Sequence, residues 1–358
     1  MVEKINIHPR FLDRRKESLL SWQVPESVKK DILRFLEELE LGKVNRGIKV
    51  GESRQTKYLD LLKVPLEYFN KEITNLKLKD IENFEKGISS GKIKSPLKNK
   101  EYASSTKADI RRALKIFLKW KLGESKSLDL VGWLDTRHKG KTPNYLTEQE
   151  VKKLYLGARN SEQRFLIAVL FDSGARAEEF HNIRYEDISL PEGKDNFVKI
   201  TLREEYSKTK GRTISLYWAY SLEAIKDFLR QRIEEGIKPK DPVFTLSYDA
   251  SRRFLNRLGN SILKKSVHYH LFRHSSATYY ASRINRQQLC YRFGWRFSSN
   301  MPDTYISRAG MENKEIDDKF SSTEISLLQD KVARLEQLIK ITVEEGTTAI
   351  NTLSGNFN

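Results

Sequence analysis

Apolar residues recur every three or four positions in four stretches near the start of the chain, a spacing typical of amphipathic α-helices. The first helix is predicted to begin after Pro25 and to end at Gly42. The second spans residues 52–63, the third follows Asp80 and the fourth follows Ser105. Their apolar faces are formed by Val28, Ile32, Phe35, Leu36 and Leu39, by Tyr58, Leu61 and Leu62, by Ile81, Phe84 and Ile88, and by Ile110, Leu114, Phe117 and Leu118.

These four helices predict a compact bundle over residues 21–122, preceded by a basic N-terminal arm at residues 1–20. We expect Pro65 to interrupt the second helix, because proline lacks a backbone N–H and its ring clashes with the preceding turn. Residues 123–145 are rich in glycine, serine and charged side chains. This composition predicts a linker that ends the first domain.

A second domain is predicted over residues 146–310, where the spacing of apolar residues changes. It begins with a helix capped by Thr147 and Glu150, which match the Ser/Thr-x-x-Glu capping box. Apolar residues then alternate with polar ones at 197–202 and 214–217, which predicts a small antiparallel sheet of two or three strands. Helical spacing precedes and follows this sheet, so the predicted fold class is mainly α (α+β).

Residues 311–358 form a C-terminal tail with a heptad-like series of apolar positions from Ile325 to Thr342. About three heptads are marginal for an isolated coiled coil. The tail can therefore dimerise the protein or pack as a helix on a folded domain, and the sequence leaves both interpretations open.

The charge of the chain favours a polyanionic partner. Its 65 lysine and arginine residues outnumber its 48 aspartate and glutamate residues, which gives a formal net charge of +17. Because the excess is spread along the sequence, it suits an extended polyanion such as double-stranded DNA. The alternative is a basic surface without such a partner, as in some thermophilic proteins.

Four cations of the fourth predicted helix form one positive stripe at i, i+4 spacing: Lys107, Arg111, Lys115 and Lys119. Such a stripe can follow a phosphate backbone, although a solvated face is the commoner meaning. No acidic residue is interleaved at the same spacing, so the two interpretations stay level. Lys210 and Arg212, on the tip of the predicted hairpin, are further candidates for DNA contact.

The cysteine, the histidines and the absence of long apolar runs exclude some kinds of site and of protein. Cys290 is the only cysteine, so an intramolecular disulfide and a cysteine-based zinc site are excluded. Apart from the cluster that contains His270 and His274, the six histidines show no metal-ligand spacing. The sequence has no run of about 18 apolar residues and no signal-peptide core. We expect a soluble, cytoplasmic protein associated with DNA.

The segment from His270 to Tyr305 carries the residue types that the attack of a phenol on a phosphodiester requires. His270 and Arg273 are three positions apart and therefore share one face of a helix. Together with Arg176, Arg273 can clamp the charged oxygens of the transition state through bidentate hydrogen bonds. His270 can accept the phenol proton or hold a phosphate oxygen.

Three further residues complete this chemistry. Lys208 is predicted to protonate the leaving 5′-oxygen as a general acid, and its neighbour Lys210 is the alternative. Trp295 can only donate a hydrogen bond through its indole N–H, so its predicted role is binding. Tyr305 is the predicted nucleophile, whose phosphotyrosine stores the energy of the broken bond for religation. The rival tyrosines are Tyr279, Tyr280 and Tyr291.

Four motifs resemble those of the tyrosine recombinase (integrase) family, in its archaeal and phage branch. GARAEEF at 174–180 is similar to the first-arginine motif, and YSKTKGRTISL at 206–216 to the hairpin that carries the catalytic lysine. HLFRHSSAT at 270–278 is similar to the His-x-x-Arg box, while FGW at 293–295 fits a position held by histidine and sometimes by tryptophan. The catalytic residues that the resemblance implies are Arg176, Lys208, His270, Arg273, Trp295 and Tyr305.

The resemblance also implies that Glu179 orients Arg176 or the histidine. It implies two domains that clamp a duplex, a dimer on one site, a tetramer in synapsis, and strand exchange through a Holliday junction. No metal or nucleotide cofactor is expected. Two alternative functions stay open. A type IB-like topoisomerase or nickase would use the same catalytic residues without synapsis, and a non-catalytic protein would only bind DNA. The complete set of predicted catalytic residues disfavours the second alternative.

Overall fold

The structure is a computed structural model that describes residues 4–7, 9, 11–96, 99–138, 144–193, 197–207, 209–308, 332 and 335. It contains two compact units: a larger unit of Met1–Ile7 and Pro143–Asn358, and a smaller unit of His8–Thr142. Helices dominate both units and a small antiparallel sheet lies in the larger one, which confirms the predicted fold class. The heptad-like series of the predicted tail lies outside the described residues, except for Val332 and Leu335.

Six α-helices build the described part of the smaller unit: α1 (Leu12–Ser18), α2 (Glu26–Glu40), α3 (Glu52–Phe69), α4 (Leu78–Ser89), α5 (Ser104–Leu122) and α6 (Glu124–Val131). Their apolar faces meet in one core that includes the apolar positions predicted for the four helices. Phe35 has edge-on contacts with Tyr58 and Phe117, at centroid distances of 5.7 and 5.2 Å. Burying a side chain of this size stabilises the fold by roughly 1.5–3 kcal/mol.

Two boundaries of the smaller unit differ from the prediction. Helix α3 continues through Pro65 to Phe69 instead of breaking at the proline. Pro65 and the following Leu66 are buried, so packing in the last two turns offsets the hydrogen bond that proline removes. The predicted linker begins with helix α6, whose Leu130 and Val131 pack into the core.

The described helices of the larger unit are α7 (Glu148–Leu156), α8 (Ser161–Ser173), α9 (Ala177–His181), α10 (Ser221–Glu234), α11 (Tyr248–Leu263), α12 (Tyr269–Ala281), α13 (Arg286–Phe293) and α14 (Met301–Arg308). The strands β1 (Ile188–Ser189), β2 (Lys199–Leu202) and β3 (Arg212–Ser215) form an antiparallel sheet in the order β1-β2-β3. Ile200 pairs with Ile214 and Leu202 with Arg212. The capping box of α7 is confirmed, since the Thr147 side chain accepts a hydrogen bond from the Glu150 N–H.

Helix α8 lies at the centre of the larger unit, because its side chains from Phe165 to Ser173 are all buried. It packs against α7, α10 and α12, as expected for a helix that is apolar all round. Gly174 ends the helix in a left-handed conformation, with φ of +58°. A Cβ at this position would lie 2.2 Å from the Phe293 ring. Glycine therefore lets the chain turn sharply into Arg176 and α9.

Buried polar contacts tie α9 to α12. His181, at the end of α9, hydrogen-bonds through Nε2 with the Tyr269 hydroxyl at 2.8 Å, and the Ser251 hydroxyl lies 2.7 Å from the same oxygen. Burial lowers the pKa of His181 to about 4, so its ring is neutral at neutral pH. These bonds hold the helix that follows Arg176 against the helix that carries Arg273.

The first described residues belong to the larger unit. The Asn182 side chain accepts a hydrogen bond from the Ile5 N–H at 2.8 Å and donates one to the Ile5 carbonyl at 2.9 Å. Lys4 pairs with Glu178 at 2.9 Å. The region predicted as a basic arm is therefore divided between the units, since α1 packs in the smaller one.

Candidate active site

Five of the predicted catalytic residues converge in the larger unit. Arg176 precedes α9, His270 and Arg273 lie on α12, Trp295 follows α13, and Tyr305 lies on α14. The Arg176 charge acts on both His270 and Arg273. The Arg273 guanidinium carbon is 5.6 Å from the centroid of the Trp295 ring, which stacks on Tyr305 at 5.3 Å with an interplanar angle of 5°. The separate motifs of the sequence thus meet in one cluster.

Arg176 presents a partly exposed guanidinium, with 25% of its side chain accessible. Its backbone N–H donates to Glu179 Oε2 at 2.8 Å, and its Nη1 donates to Glu179 Oε1 at 2.9 Å and to Thr209 Oγ1 at 3.3 Å. The carboxylate therefore fixes both the start of α9 and the direction of the guanidinium. The exposed part of the guanidinium can donate hydrogen bonds to an oxyanion.

Glu179 is fully buried, and its carboxylate contacts several residues of the site. It accepts hydrogen bonds from the Ser207 hydroxyl at 2.6 Å and from Arg212 Nη1 and Nη2 at 3.2 and 3.1 Å, besides those from Arg176. Burial alone raises the pKa of Glu179, but Arg212, Arg273 and Ser207 outweigh it and lower the pKa to about 2. The carboxylate is therefore ionised at neutral pH.

The position of Arg212 contradicts the prediction that it contacts DNA from the hairpin tip. Its side chain is only 2% exposed, pairs with Glu179, and donates from Nε to the Arg292 carbonyl at 2.8 Å. Arg212 and Ile214 occupy the buried positions of β3, whereas Thr213 faces outward. The Arg212 guanidinium can be buried because its positive charge compensates the buried negative charge of Glu179.

Arg273 is buried, with 4% exposure, and its guanidinium is held by backbone carbonyls. Nη1 donates to the Gly174 carbonyl at 2.7 Å and Nη2 to the Phe293 carbonyl at 2.6 Å. Burial lowers the pKa of Arg273, and the neighbouring positive charge of Arg176 lowers it further. Arg176, Arg212 and Arg273 place three guanidiniums near a single buried carboxylate, and this excess of positive charge favours an added anion.

His270 lies on the exposed side of α12, and its ring meets the His274 ring edge-on at a centroid distance of 4.4 Å. Desolvation by the surrounding protein lowers the pKa of His270, and the charge of Arg273 lowers it further. Both effects favour the neutral ring, which is the form that can accept a proton.

Tyr305 is 1% exposed and packs in a small apolar cluster of the larger unit. Its hydroxyl forms a 2.6 Å hydrogen bond with His274 Nδ1. The face of its ring is covered by Trp295. The predicted nucleophile is therefore packed within its own chain, with its oxygen directed at a histidine that the sequence analysis did not single out.

The rival tyrosines have other surroundings. Tyr280 is buried and donates its hydroxyl to Asp172, which also pairs with Arg292. Tyr291 is exposed and donates to the Thr213 carbonyl at 3.2 Å. Tyr279 is half-buried and its ring packs beneath the Arg283 guanidinium. Tyr305 alone among these four tyrosines stacks on Trp295 in the described residues.

The hairpin between β2 and β3 reaches the same site. Lys208 lies outside the described residues, but Ser207 and Thr209 on either side of it hydrogen-bond to Glu179 and Arg176. A Cβ at Gly294 would lie 2.5 Å from Thr209 Oγ1, so glycine permits this close approach. Lys210 is exposed.

All four cations of the predicted stripe on α5 have partners within the protein. The partners of its cations are Glu101 for Lys107, Glu85 for Arg111, the Gly132 carbonyl for Lys115, and Glu124 for Lys119. The Lys107 and Arg111 side chains are only 12% and 13% exposed. Other segments supply these partners, so inspection of α5 alone could not reveal them. The Lys119 side chain is 54% exposed, and an exposed ion pair of this kind contributes little and can exchange for a phosphate.

Within the described ranges, no group of three or more histidine, cysteine, aspartate or glutamate side chains could hold a metal ion. In the same ranges, no helix is long and apolar enough to cross a membrane.

Residues 144–310 match the model of the phage integrase family. A tyrosine recombinase of Thermosipho africanus (strain TCF52B) is 30% identical over 240 residues, which cover 60% of this chain and 74% of that protein. Tyrosine recombinase XerA of Saccharolobus solfataricus is 28% identical over 133 residues, or 37% of this chain and 41% of the relative. The chain belongs to the tyrosine recombinase family, and it is a tyrosine-type site-specific recombinase.

The fold is also found in a solved structure, a λ integrase dimer bound to a COC′ core site. The TM-score is 0.56 at 16% identity, and the match covers 80% of this chain and 81% of that one. The family membership that the sequence motifs indicated is confirmed, and so is the fold.

Sequence reasoning missed three features of the site. His274 was not among the predicted site residues, although its position four residues after His270 on one helix places both rings on the same face. Arg212 was assigned to the surface. Ser207 and Thr209 gave no signal, because their roles depend on how the hairpin folds against α9 and Gly294.

Replacing Glu179 by glutamine is expected to lower the free energy of unfolding by about 3–5 kcal/mol, because it leaves Arg212 buried without its counter-charge. Urea unfolding measures this effect. Glu178→Gln, in the next position, is the matched control and should cost less than about 1 kcal/mol, since its pair with Lys4 is partly exposed. Equal effects of the two variants would contradict the account.

The same carboxylate gives a pH dependence whose sign follows from its pKa. The pKa of Glu179 falls from 4.5 to about 2 in the folded protein, so its contribution is complete above pH 4.5 and is lost as the pH falls toward 2. Glu179→Gln should therefore lose less stability than the wild type over this acid range.

Proposed function

We propose that this recombinase cleaves and rejoins double-stranded DNA at specific sites through a 3′-phosphotyrosine on Tyr305, and exchanges strands through a Holliday junction. The observation that carries the proposal is the clustering of Arg176, His270 and Arg273, with Trp295 in contact with both Arg273 and Tyr305. Two guanidiniums beside a tyrosine fit the attack of a phenol oxygen on a phosphodiester better than they fit binding alone.

In the proposed reaction, the Tyr305 oxygen forms a bond to phosphorus while the bond to the 5′-oxygen breaks. The phenol proton passes to His270, whose neutral ring can accept it, and Lys208 protonates the leaving 5′-oxygen. Arg176 and Arg273 stabilise the charge that builds on the non-bridging oxygens, while Trp295 can donate one hydrogen bond. Reversal with another 5′-hydroxyl rejoins the strand.

The role proposed for Lys208 is supported by its neighbours. The Ser207 hydroxyl, in the residue before Lys208, donates to Glu179, and Thr209, the residue after it, accepts a hydrogen bond from Arg176. Lys210 is the alternative general acid, and a DNA contact is the role that its exposure supports better.

The smaller unit is proposed to bind DNA through a face other than the predicted stripe. A groove of about 620 Å³ between α3 and α5 is lined by Arg54, Lys57 and Arg112, together with Tyr58 and other residues. The Lys57 and Arg112 side chains are 54% and 47% exposed. Lys57 and Arg112 form solvent-exposed ion pairs, in which a phosphate can readily replace the protein carboxylate. They are therefore better placed to bind DNA than Lys107 and Arg111.

The assembly is proposed to be a dimer on one site and a tetramer in synapsis, with the smaller unit as the core DNA-binding domain and the larger unit as the catalytic domain. A λ integrase, whose fold this chain shares, was solved as a dimer bound to a core site, which supports the proposed dimer. The protein is accordingly proposed to be associated with the DNA of its cell.

A supercoiled plasmid with two directly repeated copies of a candidate site tests the proposed function. Recombination yields two smaller circles, and that is the expected result. Relaxation of the plasmid without new circles would replace the proposal by a topoisomerase-like activity. Binding without any change in the plasmid, on sites recovered by selection from random DNA, would favour a non-catalytic DNA-binding protein.

A further inference from the structure

His274 lies between the predicted nucleophile and the predicted proton acceptor. Its Nδ1 is 2.6 Å from the Tyr305 hydroxyl, and its ring lies 4.4 Å from the ring of His270. His274 is a half-buried residue, whereas His270 is an exposed one. His274 therefore contacts both of these residues.

The contact with His274 determines where the Tyr305 oxygen points. The tyrosine is 1% exposed, packs among Tyr280, Leu289 and Phe293, and is stacked on Trp295. A hydroxyl in such surroundings needs a hydrogen-bond partner, because a buried polar group without one is costly. His274 supplies that partner on the side of α12.

We propose that His274 is a positioning residue that holds the Tyr305 hydroxyl in a buried resting position, and that cleavage requires this bond to open. The inference rests on the proposed role of Tyr305 as the nucleophile. Attack requires the phenol oxygen to contact phosphorus, whereas a tyrosine with 1% exposure cannot contact a phosphate of a duplex outside the fold. The oxygen must therefore leave His274 before the reaction.

The ring contact between the two histidines gives DNA a way to open the bond. His270 is the exposed member of the pair and is predicted to contact the scissile phosphate. A phosphate that moves the His270 ring also moves the ring packed edge-on against it. The nucleophile is in this way kept sheltered until a substrate is present.

Variants of His274 test the resting position through the chemical accessibility of Tyr305. His274→Phe keeps an aromatic ring against His270 but has no hydrogen-bonding atom, whereas His274→Asn keeps a polar atom near the place of Nδ1. Nitration by tetranitromethane in the DNA-free protein, mapped by mass spectrometry of peptides, reports on each tyrosine. Exposed Tyr291 in the same molecule is the internal reference.

Nitration of Tyr305 is expected to rise by about tenfold in His274→Phe, the factor that corresponds to one lost hydrogen bond. His274→Asn should stay close to the wild type. Unchanged nitration of Tyr305 in His274→Phe would overturn the proposal. If His274→Phe does not fold, His274→Leu makes the same comparison with a smaller side chain.

A second measurement separates a resting position from a role in the attack itself. On a nicked duplex, His274→Phe should form the covalent adduct at least as fast as the wild type. Loss of the adduct in His274→Phe, with retention in His274→Asn, would show that the attack needs the hydrogen bond, and would overturn the proposal. If the wild type forms no adduct, the proposed function fails, while nitration still decides the role of His274.

Discussion

Replacing Tyr305 by phenylalanine is expected to reduce covalent adduct formation with a nicked duplex by at least about 10⁴-fold, which is loss to background on a denaturing gel. Phenylalanine keeps the ring that stacks on Trp295 but lacks the oxygen that attacks phosphorus. The variant should therefore fold and bind DNA with wild-type affinity. The loss is the largest that we predict, because no other group can take over the bond to phosphorus at this place.

The control for this variant is Tyr291→Phe, which removes an exposed hydroxyl from the preceding helix α13. It should leave adduct formation unchanged. A Tyr305→Phe protein that still forms the adduct would move the nucleophile to another tyrosine. A Tyr305→Phe protein that no longer binds DNA would show a structural effect and not a chemical one.

Replacing Arg273 by lysine is expected to slow adduct formation by roughly 10²–10³-fold, although the formal charge of the side chain is the same. The guanidinium donates to the Gly174 and Phe293 carbonyls from two different nitrogens. The single ammonium of lysine cannot keep both of these bonds and also reach an oxyanion. A buried lysine also loses its proton more readily than arginine.

Single-turnover adduct formation on the nicked duplex measures this effect, and thermal unfolding shows whether the variant is folded. Arg283→Lys is the matched control, because Arg283 follows the end of the same helix and is exposed. It should retain the wild-type rate. A wild-type rate in Arg273→Lys would mean that Arg273 supports the fold and does not stabilise the transition state.

The sequence predicted the elements of the site better than it predicted their surroundings. Helical spacing placed His270 and Arg273 on one face, and alternation in β2 and β3 predicted the hairpin whose connecting segment contains Lys208. Both features follow from the spacing of residues within one helix or strand, which can be identified in the sequence alone. The family resemblance then ordered them into one site, and the comparisons confirmed the family.

Charged residues were harder to place, because their surroundings come from distant segments. Arg212 follows Lys210 and Gly211 and was therefore predicted to lie at the surface, yet the fold brings it against Glu179. Arg111 pairs with Glu85, which lies on a different helix. No spacing within one helix or strand predicts such pairs. The same limit applies to Pro65, where the packing of α3 outweighs a local preference.

The most direct test of the central claim is to identify the residue that is joined to DNA. The wild-type adduct on a nicked duplex would be trapped, digested with nuclease and protease, and sequenced by mass spectrometry. We expect a nucleotide linked through a 3′-phosphate to the tyrosine of the peptide that contains Tyr305. A nucleotide on Tyr279, Tyr280, Tyr291 or any other residue would contradict the assignment of the nucleophile.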